Sequence, residues 1–318
     1  MSIFKLDPAF KDYIWGGTRL RDEYGKKCDY DKVAESWELS CHKDGPSVVA
    51  DGEYKGLTLN EYIEKAGKGV LGKNCERFEN FPILIKLIDA KDNLSVQVHP
   101  DNDYAMRVEG EYGKTEMWYV VDCDEGATLL YGFKHEITKE EFARRIADNT
   151  LLEVTNAVPV KKGDVFFIKS GTLHAIGKGI LIAEIQQNSN TTYRIYDYGR
   201  VGKDGKPREL HVDKALDVTK LAPAEQYPET PVEKKDGYDI KLLSKCEYFT
   251  TYRVNVETKA ELDADENSFN SILVLEGEPV ISGGETVCAK KGESVFISAG
   301  TGKYTVEGKC TFVLTKID

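Results

Sequence analysis

Apolar residues in this chain come in short runs that alternate with polar positions or stop at Gly, Pro, Asn or Asp. A first series is PSVVADGEY, PILIKLID, LSVQVH, MWYVVD, ATLLYGF, LLEVTNAVPV, DVFFIKS, ILIAEIQQNS and TTYRIYDY. A second is YDIKLLSKCEYFTTYRVNVE, NSILVLE, EPVIS, ESVFISA and CTFVLTKI. Runs of this length, rich in Val, Ile, Tyr and Phe, predict β-strands. Many short strands with regular turn signals predict a sandwich or barrel rather than a βαβ sheet. Helical spacing occurs in three segments. TLNEYIEKAG opens on a Thr cap and carries Leu59, Tyr62 and Ile63 on one face. TKEEFARRIADN repeats the plan, with Thr138 as cap, Glu141 three residues on, and Phe142 and Ile146 facing inward. HVDKALDV is a shorter third.

Pro and charged residues concentrate in LAPAEQYPETPVEKKDGYD, which predicts a linker at 221–239 between a unit at 1–220 and one at 240–318. The two sides share an internal repeat. VKKGDVFFIKSGTLHAIGKG (160–179) aligns without gaps on AKKGESVFISAGTGKYTVEG (289–308), the mark of a duplicated unit. In the second copy Lys303 replaces His174, and NSILVLEGEP has no carboxylate where Glu116 precedes MWYVVD. One half kept a set of metal-ligating side chains and the other did not.

Charge narrows the partners. A formal net charge of −11 argues against nucleic acid or an anionic membrane, while leaving room for a small anion in a locally basic cleft. The N-terminal segment lacks the pattern of a signal peptide, and no run approaches a membrane span of roughly 18 residues. Seven scattered cysteines without a C-x-x-C pair predict reduced thiols and a cytoplasmic protein.

Within LSVQVHPDNDYAMRVEGEYGKTEMWYVV, alternation places Ser95, Gln97 and His99 on one strand face, and Glu116 opens the next strand. His174 follows a Gly-Thr turn. Two imidazoles, a carboxylate and an amide suit Zn2+, Fe2+ or Mn2+, with positions left open for water or substrate.

These pieces resemble a known family. The duplicated β-unit with Q-x-H, Glu and a later His is similar to the cupin superfamily. WGGTRL (15–20), KLIDA (86–90), LSVQVHP (94–100), GKTEMW (113–118), GTLHAIG (171–177) and EIQQNSNTTYR (184–194) resemble the type I mannose-6-phosphate isomerases in their short bacterial form. The chain departs from longer relatives in having little room for their large helical insertion. The resemblance implies a mainly β fold of two cupin (jelly-roll-like) β-barrels with a few short helices, the second metal-free. It implies one Zn2+ per chain, held by Gln97, His99, Glu116 and His174, with Gln97 the ligand most able to serve instead as an outer hydrogen-bond partner. It implies Arg194, Lys114 and Glu184 as catalytic residues, and Lys86, Ser95 and Arg200 around the substrate phosphate.

The expected activity is interconversion of mannose 6-phosphate and fructose 6-phosphate through an enediol(ate), by a monomer or small homo-oligomer. Such chemistry needs positive charge at the developing oxyanion, which zinc and Arg194 would supply, and a base near C2, for which Glu184 and Lys114 both qualify. Trp15, Trp37 and Trp118 would wall the site or pack the core. Two other functions fit parts of the pattern. An iron-dependent cupin oxygenase explains the ligands but leaves Lys86, Lys114, Arg194 and Arg200 without a task; oxygen uptake separates it. A non-catalytic sugar-binding module would need a closed metal site with no exchangeable water.

Overall fold

A computed structural model describes residues 2–202 and 205–318. Among the described residues the strands assemble into four sheets of eight, six, five and four strands. The order of layers follows from which side chains share a core. Val254, Ile272, Val274 and Phe312 of the eight-stranded sheet pack with Ala260, Ile281, Tyr304 and Val306 of the four-stranded sheet. The opposite face of the eight-stranded sheet (Phe4, Leu273, Phe296, Val313) shares a core with Ile83, Ile85, Met117, Tyr119 and Ile185 of the six-stranded sheet. The far face of that sheet turns Ile88, Trp118, Val120 and Ile182 toward Leu129 and Tyr131 of the five-stranded sheet and toward Ile176 just beyond its strand His174–Ala175. The helices Lys139–Ala147 and Val212–Val218 cover the outer face of the five-stranded sheet through Phe142 and Ala215, which pack with Val96, Val98, Tyr193 and Ile195. Period-two alternation therefore decides what each central strand gives to each core.

The three segments with helical spacing are helices. Thr58 and Glu61 form a reciprocal capping box ahead of Leu59–Ala66, and Thr138 caps Lys139–Ala147 through the Glu141 amide. A further helix, Asn102–Val108, escaped the sequence reading because it is short and buries only Ala105; Asp101 caps it. Within PSVVADGEY only Val48–Val49 is strand, and LLEVTNAVPV begins as a 3₁₀ turn before the strand Thr155–Pro159. The glycines of WGGTRL allow close approach: a Cβ on Gly16 would lie 2.5 Å from the Ala34 side chain, and one on Gly17 2.4 Å from the Asp89 carboxylate. That carboxylate accepts the Arg19 amide.

The repeat is real at the level of hydrogen bonds. In the first copy Lys161 donates its amide to Asp164, and Gly163 donates to the Val120 carbonyl. In the second, Lys290 donates to Glu293 and Gly292 to Val274. The register then makes Asn270, opposite Ile297, the counterpart of Glu116, opposite Ile168. Asn270 spends its amide on Asp263 O and the Tyr304 hydroxyl, so that position holds a closed polar contact.

Sheet membership crosses the sequence halves. The strand Ile3–Asp7 pairs with Ser294–Ile297 and with Val48–Val49, inside the sheet otherwise built from residues 232–316. The segment 221–239 is mostly irregular but contributes the edge strand Val232–Lys234 to that sheet.

Candidate active site

The facing surfaces of the six- and five-stranded sheets carry polar side chains at one end. On the six-stranded sheet, neighbouring strands place Trp37, Lys86, Glu184 and Trp118 in one row, and Glu116 opposite Gln186. On the five-stranded sheet Gln97 lies directly opposite both His174 and Arg194. Val96 and Val98 fill the outer core, which forces Gln97 and its alternates inward. The two rows meet at a cleft of about 260 Å3, lined among others by Lys86, Ser95, Gln97, Lys114, Glu184 and Arg194.

Behind Gln97 and Lys114 at its base, ligand atoms of His99, Glu116 and His174 lie within 4.8 Å of one another, and all three residues are buried. The two Nε2 atoms are 3.1 Å apart. Glu116 Oε1 is 3.4 Å from His174 Nε2, and Oε2 is 3.7 Å from His99 Nε2. His99 donates Nδ1–H to the Thr191 carbonyl at 2.9 Å, and His174 to the Thr172 carbonyl at 2.8 Å. Both rings thus carry their proton on Nδ1 and aim the Nε2 lone pair at the shared point. Burial holds His174 down to about 4 and His99 well below its ordinary value, so both are neutral. Both Glu116 oxygens are sealed from solvent without a donor in bonding geometry. Two imidazole lone pairs and a buried carboxylate thus converge on one point, with the Lys114 ammonium at the edge of the set, and a divalent cation between them would satisfy all three at once. The donor set therefore fits a divalent first-row ion. Gln97 Nε2 lies 3.4 Å from His174 Nε2, and a half-turn of the amide presents Oε1 there instead.

A layer of charge surrounds this point. Lys114 Nζ is 2.9 Å from Glu116 Oε2, 3.3 Å from His99 Nε2 and 3.8 Å from Glu184 Oε1. Lys86 Nζ is 3.3 Å from Glu184 Oε1 and 3.4 Å from Glu35 Oε2, under the Trp37 ring. Trp118 donates its indole N–H to Glu184 Oε2 at 2.9 Å and meets the His174 ring edge-on. Burial raises both Glu184 and Glu116. For Glu184 the ammonium groups of Lys114 and Lys86 outweigh it and hold the carboxyl below its usual range. Glu116, beside Glu184, is pushed up to about 7. Of the three tryptophans, Trp15 lines the cleft, while Trp37 and Trp118 are wholly buried behind it.

Ser95 and Lys86 line the cleft, as does Arg194, whose Nε is buried without a partner while Nη1 donates to Glu209 O. Arg200 lies off its lining: its guanidinium bonds Asp197 and the Asn93 carbonyl. Arg208 lines the cleft instead, donating to the same Asp197 carboxylate through Nε at 2.7 Å and Nη2 at 2.5 Å. Sequence reasoning missed Arg208, and also Tyr13 and Glu35 in the cleft wall. GKPREL had no strand periodicity to mark it.

Packed β-sheets that gather two histidines, an acid and an amide on an inner wall define a cupin-type protein with a candidate metal site. Comparisons with known proteins narrow this. The model of the phosphomannose isomerase type I catalytic domain matches residues 3–126, and that of the mannose-6-phosphate isomerase cupin domain matches 239–317. The mannose-6-phosphate isomerase ManA of Bacillus subtilis is 39% identical over 312 residues, covering 98% of this chain and 97% of that protein. A crystal structure of the mannose 6-phosphate isomerase from Bacillus subtilis superposes with a TM-score of 0.93 at 38% identity, covering 99% of both chains. A zinc-bound mannose 6-phosphate isomerase shares the fold, with a TM-score of 0.80 at 18% identity over 100% of both chains. The chain belongs to the type I mannose-6-phosphate isomerase family.

Proposed function

We propose that this protein interconverts mannose 6-phosphate and fructose 6-phosphate, with one Zn2+ held by His99, Glu116, His174 and Gln97. The observation that carries the reading is the convergence of two Nε2 lone pairs and a buried carboxylate behind the lining of a cationic cleft. When bound, the ion supplies Lewis-acid polarisation of sugar oxygens.

The chain's own residues do the rest. Glu184, kept ionised by Lys86 and Lys114, takes the proton between C1 and C2; Lys114 keeps an ammonium beside the oxygen that gains charge. Arg194, which lines the cleft and has an unpartnered Nε, stabilises the same enediolate. Lys86, Ser95 and Arg208 hold the phosphate end, and Arg200 serves them indirectly by sharing Asp197 with Arg208. Their charges concentrate cations in a chain whose formal net charge is −11, which suits a small dianionic substrate and not a polyanion. A phosphate gripped away from the reacting carbons orients them.

In the same reading the six- and five-stranded sheets form the catalytic cupin barrel of residues 1–220. The 221–239 segment links it to a second, metal-free barrel in 240–318, with the strand Ile3–Asp7 completing the second one. The protein acts in the cytoplasm as a monomer or small homo-oligomer; all seven cysteines are unpaired, and among the described residues no helix is long and apolar enough to cross a membrane.

A coupled assay of mannose 6-phosphate conversion, before and after chelation and again after zinc addition, tests the function. Loss on chelation with recovery on zinc is expected. Undiminished turnover by metal-free protein would overturn it.

A further inference from the structure

The connection between the strands Ile180–Gln187 and Tyr193–Tyr196 reads NSNTT, all amide and hydroxyl side chains. Three of its donors converge on one oxygen. Glu111 Oε2 accepts the Asn190 amide at 3.0 Å, the Thr191 hydroxyl at 3.0 Å and the Ser189 hydroxyl at 3.3 Å. Glu111 Oε1 faces His42 Nε2 at 3.0 Å. His42 is 4% exposed, and its Nδ1 accepts the Asp44 amide at 3.1 Å, which leaves the ring proton on Nε2 to be donated to Glu111. The imidazole is clamped edge-on against Trp37, with ring centroids 5.7 Å apart.

The turn depends on this carboxylate. Among the described residues, the amides of Asn190 and Thr191 bond to side chains, Glu111 and Ser189, rather than to backbone carbonyls. The carbonyl of Thr191 is the group that accepts Nδ1–H of His99. A continuous row of hydrogen bonds thus runs from the Asp44 amide through His42, Glu111 and the 189–191 turn to the imidazole at the base of the cleft. Glu111 also lies on the segment that carries Lys114 and Glu116, so one stretch of chain supplies one ligand and orients another.

We propose that Glu111, itself held by His42, is a positioning residue for His99: by pinning the 189–191 turn it fixes the Thr191 carbonyl, and with it the tautomer and aim of His99 Nε2. The inference rests on the reading of His99, Glu116 and His174 as the metal site. Outer partners of a ligating histidine commonly cost 10–100-fold in metal affinity when removed.

The test is the zinc dissociation constant of the full-length apo-protein, measured by competition with a chromophoric chelator, with the d–d spectrum of the Co2+-substituted protein as a second readout. Glu111→Ala should bind zinc about tenfold to a hundredfold more weakly and shift the Co2+ bands. Glu111→Gln should lose less, because its amide oxygen still accepts from the turn. A folded Glu111→Ala protein with zinc affinity within about twofold of the parent and unmoved Co2+ bands overturns the proposal. Should that variant not fold, Thr191→Val decides. It removes one donor to Glu111 and keeps the carbonyl, so a loss of a few-fold supports the proposal and unchanged affinity and bands overturn it. A parent protein that binds no zinc overturns the metal reading and this inference together, an outcome distinct from equal binding by parent and variant.

Discussion

Glu184 and Lys86 stand directly opposite each other on neighbouring strands, their charged groups 3.3 Å apart and each residue only 3% exposed. Two charges are kept in the interior because each makes the other tolerable, and Glu35 shares the ammonium. Removing one partner of such a pair costs about 3–5 kcal/mol. Lys86→Met should therefore lower stability by roughly that amount, read from urea denaturation. Glu184→Gln leaves Lys86 its bond to Glu35 and should cost less stability, yet lower kcat by about 10²–10⁴ as the base is lost. A Glu184→Gln protein with normal kcat would transfer the proton to Lys114.

His174→Ala should purify folded but without zinc and without activity. The second copy of the repeat shows why the fold should survive: Asn270, the counterpart of Glu116, bonds Tyr304 inside a well-packed sheet pair that has no histidine in its core. Metal analysis by mass spectrometry, with circular dichroism alongside, checks both halves of the statement. Gln97→Leu should weaken zinc retention less than His174→Ala, since an amide is the weakest donor of the set.

Arg194 and Arg208 line one cleft but should fail differently. Arg194→Ala removes a donor used mainly in the transition state, so kcat and kcat/KM should fall together by about 10²–10³ with KM little changed. Arg194→Lys keeps the charge without the planar fork and should restore only part of the rate. If Arg208 holds the phosphate as proposed, Arg208→Ala removes a contact worth about 1.5–3 kcal/mol and should raise KM while kcat holds. Steady-state kinetics on the three variants decide the assignment; a raised KM with intact kcat in Arg194→Ala would exchange the two roles.

Asp197 offers a pH test with a definite sign. Burial raises its carboxyl, but the guanidinium groups of Arg208 and Arg200 prevail and hold it below the ordinary 3.8. A depressed acid stabilises the fold above its unfolded value and loses that contribution as pH falls through the folded one. Asp197→Asn should thus be less stable than the parent at pH 7, and the gap should narrow only below about pH 4. Urea midpoints at pH 7, 5 and 3.5 measure it. A gap that narrows between pH 7 and 5 would assign the dependence to another group.

The inward set of the candidate site was legible because alternation is a strong constraint. With Val96 and Val98 committed to one core, Ser95, Gln97 and His99 had to face the other way. The repeat drew out His174 by contrast with Lys303 in the aligned sequences, although in the fold Lys303 is exposed and Tyr304 beside it faces the second core. Arg208 and Glu111 were not legible: each lies on an irregular connection, where no periodicity aims a side chain, and each matters through a partner distant in sequence. Arg200 shows the limit of motif matching, since the resemblance supplied its position in the chain but not the bond to the Asn93 carbonyl that holds its guanidinium off the cleft lining. The strand Ile3–Asp7 was missed for a related reason: its partner Ser294–Ile297 is known only once the chain has folded.

That last pairing sets an order on the protein's birth. At roughly 5–20 residues per second, the ribosome delivers the partner of the first strand tens of seconds after that strand emerges. Until residues 294–297 are made, the stretch IFKLD has an open edge on that side and apolar Phe4 and Leu6 without the completed core that buries them. The eight-stranded sheet can be completed only after residues 294–297 and 310–316 have been made, so its assembly is late relative to its first strand and has a long chain closure to make. A nascent chain arrested before residue 294 should be the form that chaperones hold and proteases cut, even with every ligand of the proposed metal site already outside the ribosome.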